Sequence, residues 1–172
     1  MRYLLHGPPG HPIHPPLTDF TIGAYSFATV AGVLSALGVA EEGFAHGWWL
    51  ALIVGLITSS VTALTGLLEW TKISSGTPLK RTATAHGLSN VGATLFFALA
   101  AIFGHDSYVE AAVDAGPLLL TLAGFVLLTL GGWLGGTIVF GYGMRVLELQ
   151  EEPARQASSP RPAPEEEDAE QI

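Results

Sequence analysis

Four long apolar stretches constrain this chain more than any other feature. They cover about residues 17–37, 48–70, 85–103 and 117–142, and their few charged residues lie close to their ends. About 20 helical residues cross the hydrocarbon core of a bilayer, and in lipid a helix satisfies its own backbone hydrogen bonds. Only 13% of the residues are charged, whereas about 25% is usual in soluble domains. The sequence therefore predicts an all-α integral membrane protein, a four-transmembrane-helix bundle.

The charges of the connecting segments predict how the helices are oriented. All seven basic residues fall on one side of the predicted spans: Arg2, Lys72, Lys80, Arg81, Arg145, Arg155 and Arg161. The two connections on the other side carry only acidic residues: Glu41, Glu42, Asp106, Glu110 and Asp114. Because basic loops are retained in the cytoplasm, this split predicts an N-in/C-in protein with both termini cytoplasmic.

Composition divides the chain into three regions. Residues 1–16 form a Pro/His-rich N-terminal segment, residues 17–147 form the four-helix transmembrane domain, and residues 148–172 form an acidic tail. The tail has eight acids and two arginines, so it contributes −6 to the formal net charge of −8. Its Pro, Ser, Ala and Glu offer little apolar surface to bury, which predicts disorder. The chain has no cysteine, which excludes disulfides and thiolate metal sites.

Polar and ionisable side chains gather near the cytoplasmic end of the predicted helices. The residues concerned are His11, His14, Asp19, Glu69, His86 and Asn90. His11 and His14 each precede a proline, and Asp19 follows about one turn into helix one. Glu69 ends a polar stripe on helix two. The last two residues are four apart and share a face of helix three. Since ionisable groups in a span usually face the protein interior, this pattern predicts a convergent His/carboxylate site.

Haem b is one of three interpretations of this site. His14 and His86 begin helices one and three, which run parallel, so their imidazoles are predicted at matching depth, as for the two axial ligands of a low-spin haem. A weak likeness between the halves, a Gly-Ala pair downstream of each histidine, favours this interpretation, although its register slips. Asp19, Glu69 and Asn90 would then orient the imidazoles.

Two other interpretations stay open. A divalent transition metal could be held by His11, His14, Glu69 and His86, because imidazoles with a carboxylate suit such ions, and the protein would then be a non-enzymatic metal-binding or transport-related protein. Alternatively, the cluster binds no cofactor. His14 would then cap helix one, Asp19 would bond Asn90 or the first N–H groups of helix three, and Glu69 would pair with Lys72 or Arg81. The protein would then be a structural subunit of a membrane complex.

The residues described above resemble the bacterial membrane family called domain of unknown function 2231. The likeness rests on His11-Pro12-Ile13-His14-Pro15 with Asp19, on Thr65-Gly66-Leu67-Leu68-Glu69-Trp70, on His86 with Asn90, and on Gly131-Gly132-Trp133-Leu134-Gly135-Gly136. The resemblance implies a four-helix protein of the bacterial cytoplasmic (inner) membrane. Relatives that carry this domain beside Rieske-type or cytochrome c-type domains imply electron transfer. The family usually has an aspartate where this chain has Glu69.

Taken together, these patterns favour a small b-type haem or redox-accessory subunit rather than a stand-alone enzyme. No nucleotide-binding loop or nucleophile elbow occurs in the sequence. The predicted partners are the lipid bilayer, a redox or membrane-complex partner, and a second copy of the chain docked on the glycine face of helix four. Nucleic acid is not an expected partner.

Overall fold

The computed structural model describes residues 13–144 and residue 146, and all regular structure in this part of the chain is helical. The helices are α1 (His14–Ala36), α2 (Glu41–Trp70), α3 (Pro78–Phe103), the short α4 (His105–Val109) and α5 (Ala115–Gly136), which a π-helical turn (Thr137–Gly141) extends. Four of them, α1, α2, α3 and α5 with its extension, are long and apolar enough to cross a membrane. The predicted disordered tail and His11 lie outside the described residues.

The helices begin earlier than the apolar stretches because helix-start signals precede them. Pro15 and Pro16 occupy the first turn of α1, where their missing N–H groups cost no hydrogen bond. The Thr77 side chain accepts a 3.1 Å hydrogen bond from the Lys80 backbone N–H and so caps α3. Two glutamates in the first turn of α2 suit the positive end of the helix dipole. The apolar pattern therefore marked the spans, while capping residues set the helix ends.

The four long helices pack as two antiparallel hairpins. The most extensive contacts join α1 to α2 and α3 to α5, and smaller contacts join α2 to α3 and α1 to α5. Tyr25 of α1 and Phe97 of α3 stack at the centre, with ring centroids 3.9 Å apart and planes 11° apart. Trp48 of α2 is fully buried and donates a 3.1 Å hydrogen bond from Nε1 to Thr121 Oγ1 of α5. Aromatic rings therefore link the two hairpins through the core.

The two hairpins repeat one pattern of four positions. In each, a histidine in the first helix is followed eleven residues later by a buried aromatic residue, and two glycines of the second helix, also eleven residues apart, lie against these two rings. The positions are His14, Tyr25, Gly55 and Gly66 in the first hairpin, and His86, Phe97, Gly124 and Gly135 in the second. The hairpins are thus approximate structural repeats, in which the two histidines are equivalent.

Candidate histidine site

His14 lies at the start of α1 and is anchored to α2. Its Nδ1 is 3.0 Å from Thr65 Oγ1. The Thr65 hydroxyl hydrogen is directed at the Thr62 carbonyl oxygen, 2.9 Å away, so Oγ1 is left to accept from the imidazole. This geometry assigns the proton of a neutral His14 to Nδ1.

His86 is anchored to α5 in the equivalent way. Its Nδ1 is 2.8 Å from the backbone oxygen of Gly131, and a carbonyl oxygen only accepts, so Nδ1 carries the proton. Asn90 Nδ2 donates to the His86 backbone oxygen at 2.8 Å. Its 3.3 Å approach to His86 Nδ1 is a contact between two donors rather than a second hydrogen bond. Asn90 thus supports the turn that carries His86.

Both imidazoles have their Nε2 atoms available. Among the described residues, no side chain or backbone group hydrogen-bonds Nε2 of His14 or His86, and both rings are half-buried. His14 also interacts electrostatically with His86 and with Glu69. Neutral imidazoles with protonated Nδ1 present the Nε2 lone pair, so the site offers two nitrogen donors of the same kind.

Glycines of the second helix in each hairpin make room for the imidazoles. A Cβ atom added at Gly66 would lie 2.8 Å from His14 Cε1, and one added at Gly135 would lie 3.0 Å from His86 Cε1. At Gly131 an added Cβ would lie 2.6 Å from Asn90 Nδ2. Gly131 and Gly135 therefore let α5 pack closely against α3 of the same chain. Gly132 has open space around it.

The carboxylates differ from the sequence prediction in what they contact. Glu69 Oε1 pairs with Lys72 Nζ at 3.1 Å, as the cofactor-free interpretation proposed. Asp19 is exposed on α1 and forms no hydrogen bond or ion pair with another described residue. Asp19 therefore hydrogen-bonds neither imidazole, because it lies on the exposed outer surface of α1.

Metal ligation was the other chemical interpretation of the cluster. Within the described residues, no three His, Asp, Glu or Cys side chains are placed so that they could hold a metal ion. His11, the fourth predicted ligand, lies outside the described residues. His14, Glu69 and His86 thus do not form a complete ligand set among these residues.

Sequence reasoning missed the acceptors that fix the imidazoles. Thr65 belonged to a polar stripe along one face of α2, and that spacing was a usable signal for an inward-facing side chain. The Gly131 carbonyl could not be predicted from the sequence, because every residue has a backbone carbonyl and no side chain distinguishes this one. The eleven-residue spacing between each histidine and its aromatic residue was also present in the sequence. The Gly-Ala pairs lie at different distances from the two histidines, so an alignment of the halves on these pairs did not show it.

Comparison with known proteins adds one match. A family model described as "Predicted membrane protein (DUF2231)" matches residues 10–148, which includes both hairpins. No curated protein and no solved structure matches the chain.

Proposed function

We propose that this chain, which belongs to the DUF2231 family of predicted membrane proteins, is a small b-type haem or redox-accessory subunit. One observation carries the proposal: the two hairpins hold equivalent histidines, each anchored at Nδ1 by an oxygen acceptor of the neighbouring helix. His14 and His86 are the residues that would hold the haem. Thr65 and the Gly131 carbonyl are the groups that orient them.

The donor chemistry of this site fits haem iron. An axial imidazole binds iron through one nitrogen while the other donates a hydrogen bond to a protein acceptor, which fixes the ring and raises its basicity. Both imidazoles are set up in this way, with Nδ1 committed at 3.0 Å and 2.8 Å and Nε2 available. When bound, haem b would supply a one-electron couple. Because Gly66 and Gly135 have no side chain, they leave room for each imidazole ring to lie within hydrogen-bonding distance of its acceptor.

Absorption spectroscopy tests the proposal. The full chain, purified in mild detergent from haem-supplemented cells, is expected to show haem b bands in a reduced-minus-oxidised spectrum at near-stoichiometric yield. His14→Ala and His86→Ala should each lose the bands, whereas His105→Ala should keep them. His86→Gly with added imidazole gives a second measurement, because a free imidazole can replace the missing ligand. A flat spectrum from helical, monodisperse wild-type protein would refute the haem proposal, as would bands that survive both substitutions.

A divalent metal is the second candidate, and the electrostatic interaction between Glu69 and His14 supports it. This candidate predicts a colourless protein that retains a transition metal after dialysis and loses it in Glu69→Gln. Loss of metal in that variant, with no haem bands in the wild type, would replace the haem proposal with the metal one. If neither cofactor is retained, the same histidines join the helices of each hairpin in a structural subunit.

We also propose a bacterial inner-membrane location with both termini in the cytoplasm. Support comes from two basic residues, Lys72 just after α2 and Lys80 in the first turn of α3, and from two acidic residues, Glu41 at the start of α2 and Glu110 just after α4. Basic residues favour the cytoplasmic side. A second copy docked on Gly132 stays a prediction, supported by the open space beside that glycine.

A further inference from the structure

An ionisable side chain lies on the outer surface of α1, away from the histidine site. Asp19 comes five residues after the first residue of α1, about 8 Å into the span at ~1.5 Å per residue. Ionisable residues in membrane spans are rare, and they usually face the protein interior or pair with another group. Asp19 is exposed and has no partner among the described residues. Its presence there requires a different explanation.

An apolar groove runs from Asp19 along the outside of α1 and α2. Its volume is about 600 Å³, and it is lined by Asp19, Phe20, Gly23, Ala24, Phe27, Gly47, Leu50, Ala51 and Val54. From Asp19 to Phe27 the groove follows eight residues of α1, about 12 Å along the helix. Gly23 forms part of its floor, with no atom within 4 Å of an added Cβ. The groove therefore has an apolar lining along its length, with the Asp19 carboxylate at the end nearer the start of α1.

We propose that this groove binds an aminophospholipid such as phosphatidylethanolamine, with its ammonium group near Asp19 and an acyl chain along Gly23 and Phe27. Charge complementarity identifies the occupant: among the described residues that line the groove, Asp19 is the only charged one, so it attracts a cationic headgroup and repels an anionic one. The orientation also fits, because the headgroup lies toward the start of α1 and the chain runs toward the middle of the bilayer. The site is independent of any haem.

Native mass spectrometry of the full chain released from nanodiscs tests this site. The nanodiscs contain equal amounts of dioleoyl phosphatidylethanolamine and dioleoyl phosphatidylglycerol, whose acyl chains are identical. Wild-type protein is expected to retain the ethanolamine lipid preferentially. Asp19→Asn should weaken this preference about fivefold, the factor expected for losing one solvent-accessible ion pair of ~1 kcal/mol. Glu42→Gln, which removes an exposed carboxylate at the other end of α2, should leave the preference unchanged.

A second pair of variants tests the groove rather than the charge. Gly23→Leu fills the groove and should lower retention of the ethanolamine lipid, whereas Gly87→Leu adds the same side chain in open space on α3 and should not. Equal retention of the two lipids by wild-type protein would overturn the proposal. So would equal effects of Asp19→Asn and Glu42→Gln. Retention of a second protein copy that Gly23→Leu abolishes would instead make the groove a self-association surface.

Discussion

The contact between Tyr25 and Gly55 gives the sharpest test of how the helices pack. Tyr25 is fully buried. One side of its ring lies on Gly55, where an added Cβ atom would overlap the ring, and Phe97 stacks on the ring as well. Because the ring has contacts with both α2 and α3, it cannot retreat when Gly55 gains a methyl group. Gly55→Ala should therefore destabilise the protein although alanine favours helix more than glycine does.

The expected loss follows from the contacts that must change. Overpacking a well-filled interior costs roughly 1–3 kcal/mol. Moving the ring also strains the 3.2 Å hydrogen bond from the Tyr25 hydroxyl to Ser59, worth about 1 kcal/mol, and the stack on Phe97, worth ~1 kcal/mol. We expect Gly55→Ala to lower the free energy of unfolding by about 3 kcal/mol, roughly a hundredfold in the equilibrium constant.

Reversible unfolding in mixed detergent micelles, followed by circular dichroism, measures this loss. Gly87→Ala is the matched control, since an added Cβ there has no atom within 4 Å, and its stability should be unchanged or slightly higher. In a double variant with Tyr25→Leu, the cost of Gly55→Ala should shrink because the ring is gone. The reasoning is refuted if Gly55→Ala is as stable as Gly87→Ala, or if the two substitutions at Tyr25 and Gly55 are additive.

Two further predictions concern the other end of the molecule and its orientation. Trp48→Phe should lower the free energy of unfolding by about 1–2 kcal/mol, because the buried Thr121 hydroxyl oxygen loses the N–H group that donates to it. Trp133→Phe, on the exposed face of α5, is the control and should have little effect. Equal effects of the two substitutions in the same unfolding assay would contradict this prediction. Because the chain has no cysteine, single cysteines at Ser75 and Glu110 can be labelled in intact cells with a membrane-impermeant maleimide. The N-in/C-in orientation predicts labelling at position 110 only, and the reverse pattern would overturn it.

His14, Glu69 and His86 were expected to converge, since each lies near the same end of its helix. His14 interacts electrostatically with the other two, and the shared site stays a prediction. Asn90 was expected beside His86, and the four-residue spacing made that nearly unavoidable. Asp19 was assigned to the cluster because it lies near the same end of its helix and because ionisable groups in a span usually face the protein interior. In the structure it is exposed and hydrogen-bonds neither imidazole.

The sequence by itself determined that this is a membrane protein with four long helices. Long uncharged apolar stretches permit few other structures in lipid, and prolines and capping threonines define where helices such as α1 and α3 begin. Which side of each helix faces its neighbours was decided only by the tertiary structure. Each residue turns the helix by about 100°, and a helix that is apolar all round carries no periodic signal of its inner face. The lipid outside is as apolar as the interior, so glycines, aromatic rings and hydrogen bonds such as that of His86 to Gly131 determine the packing.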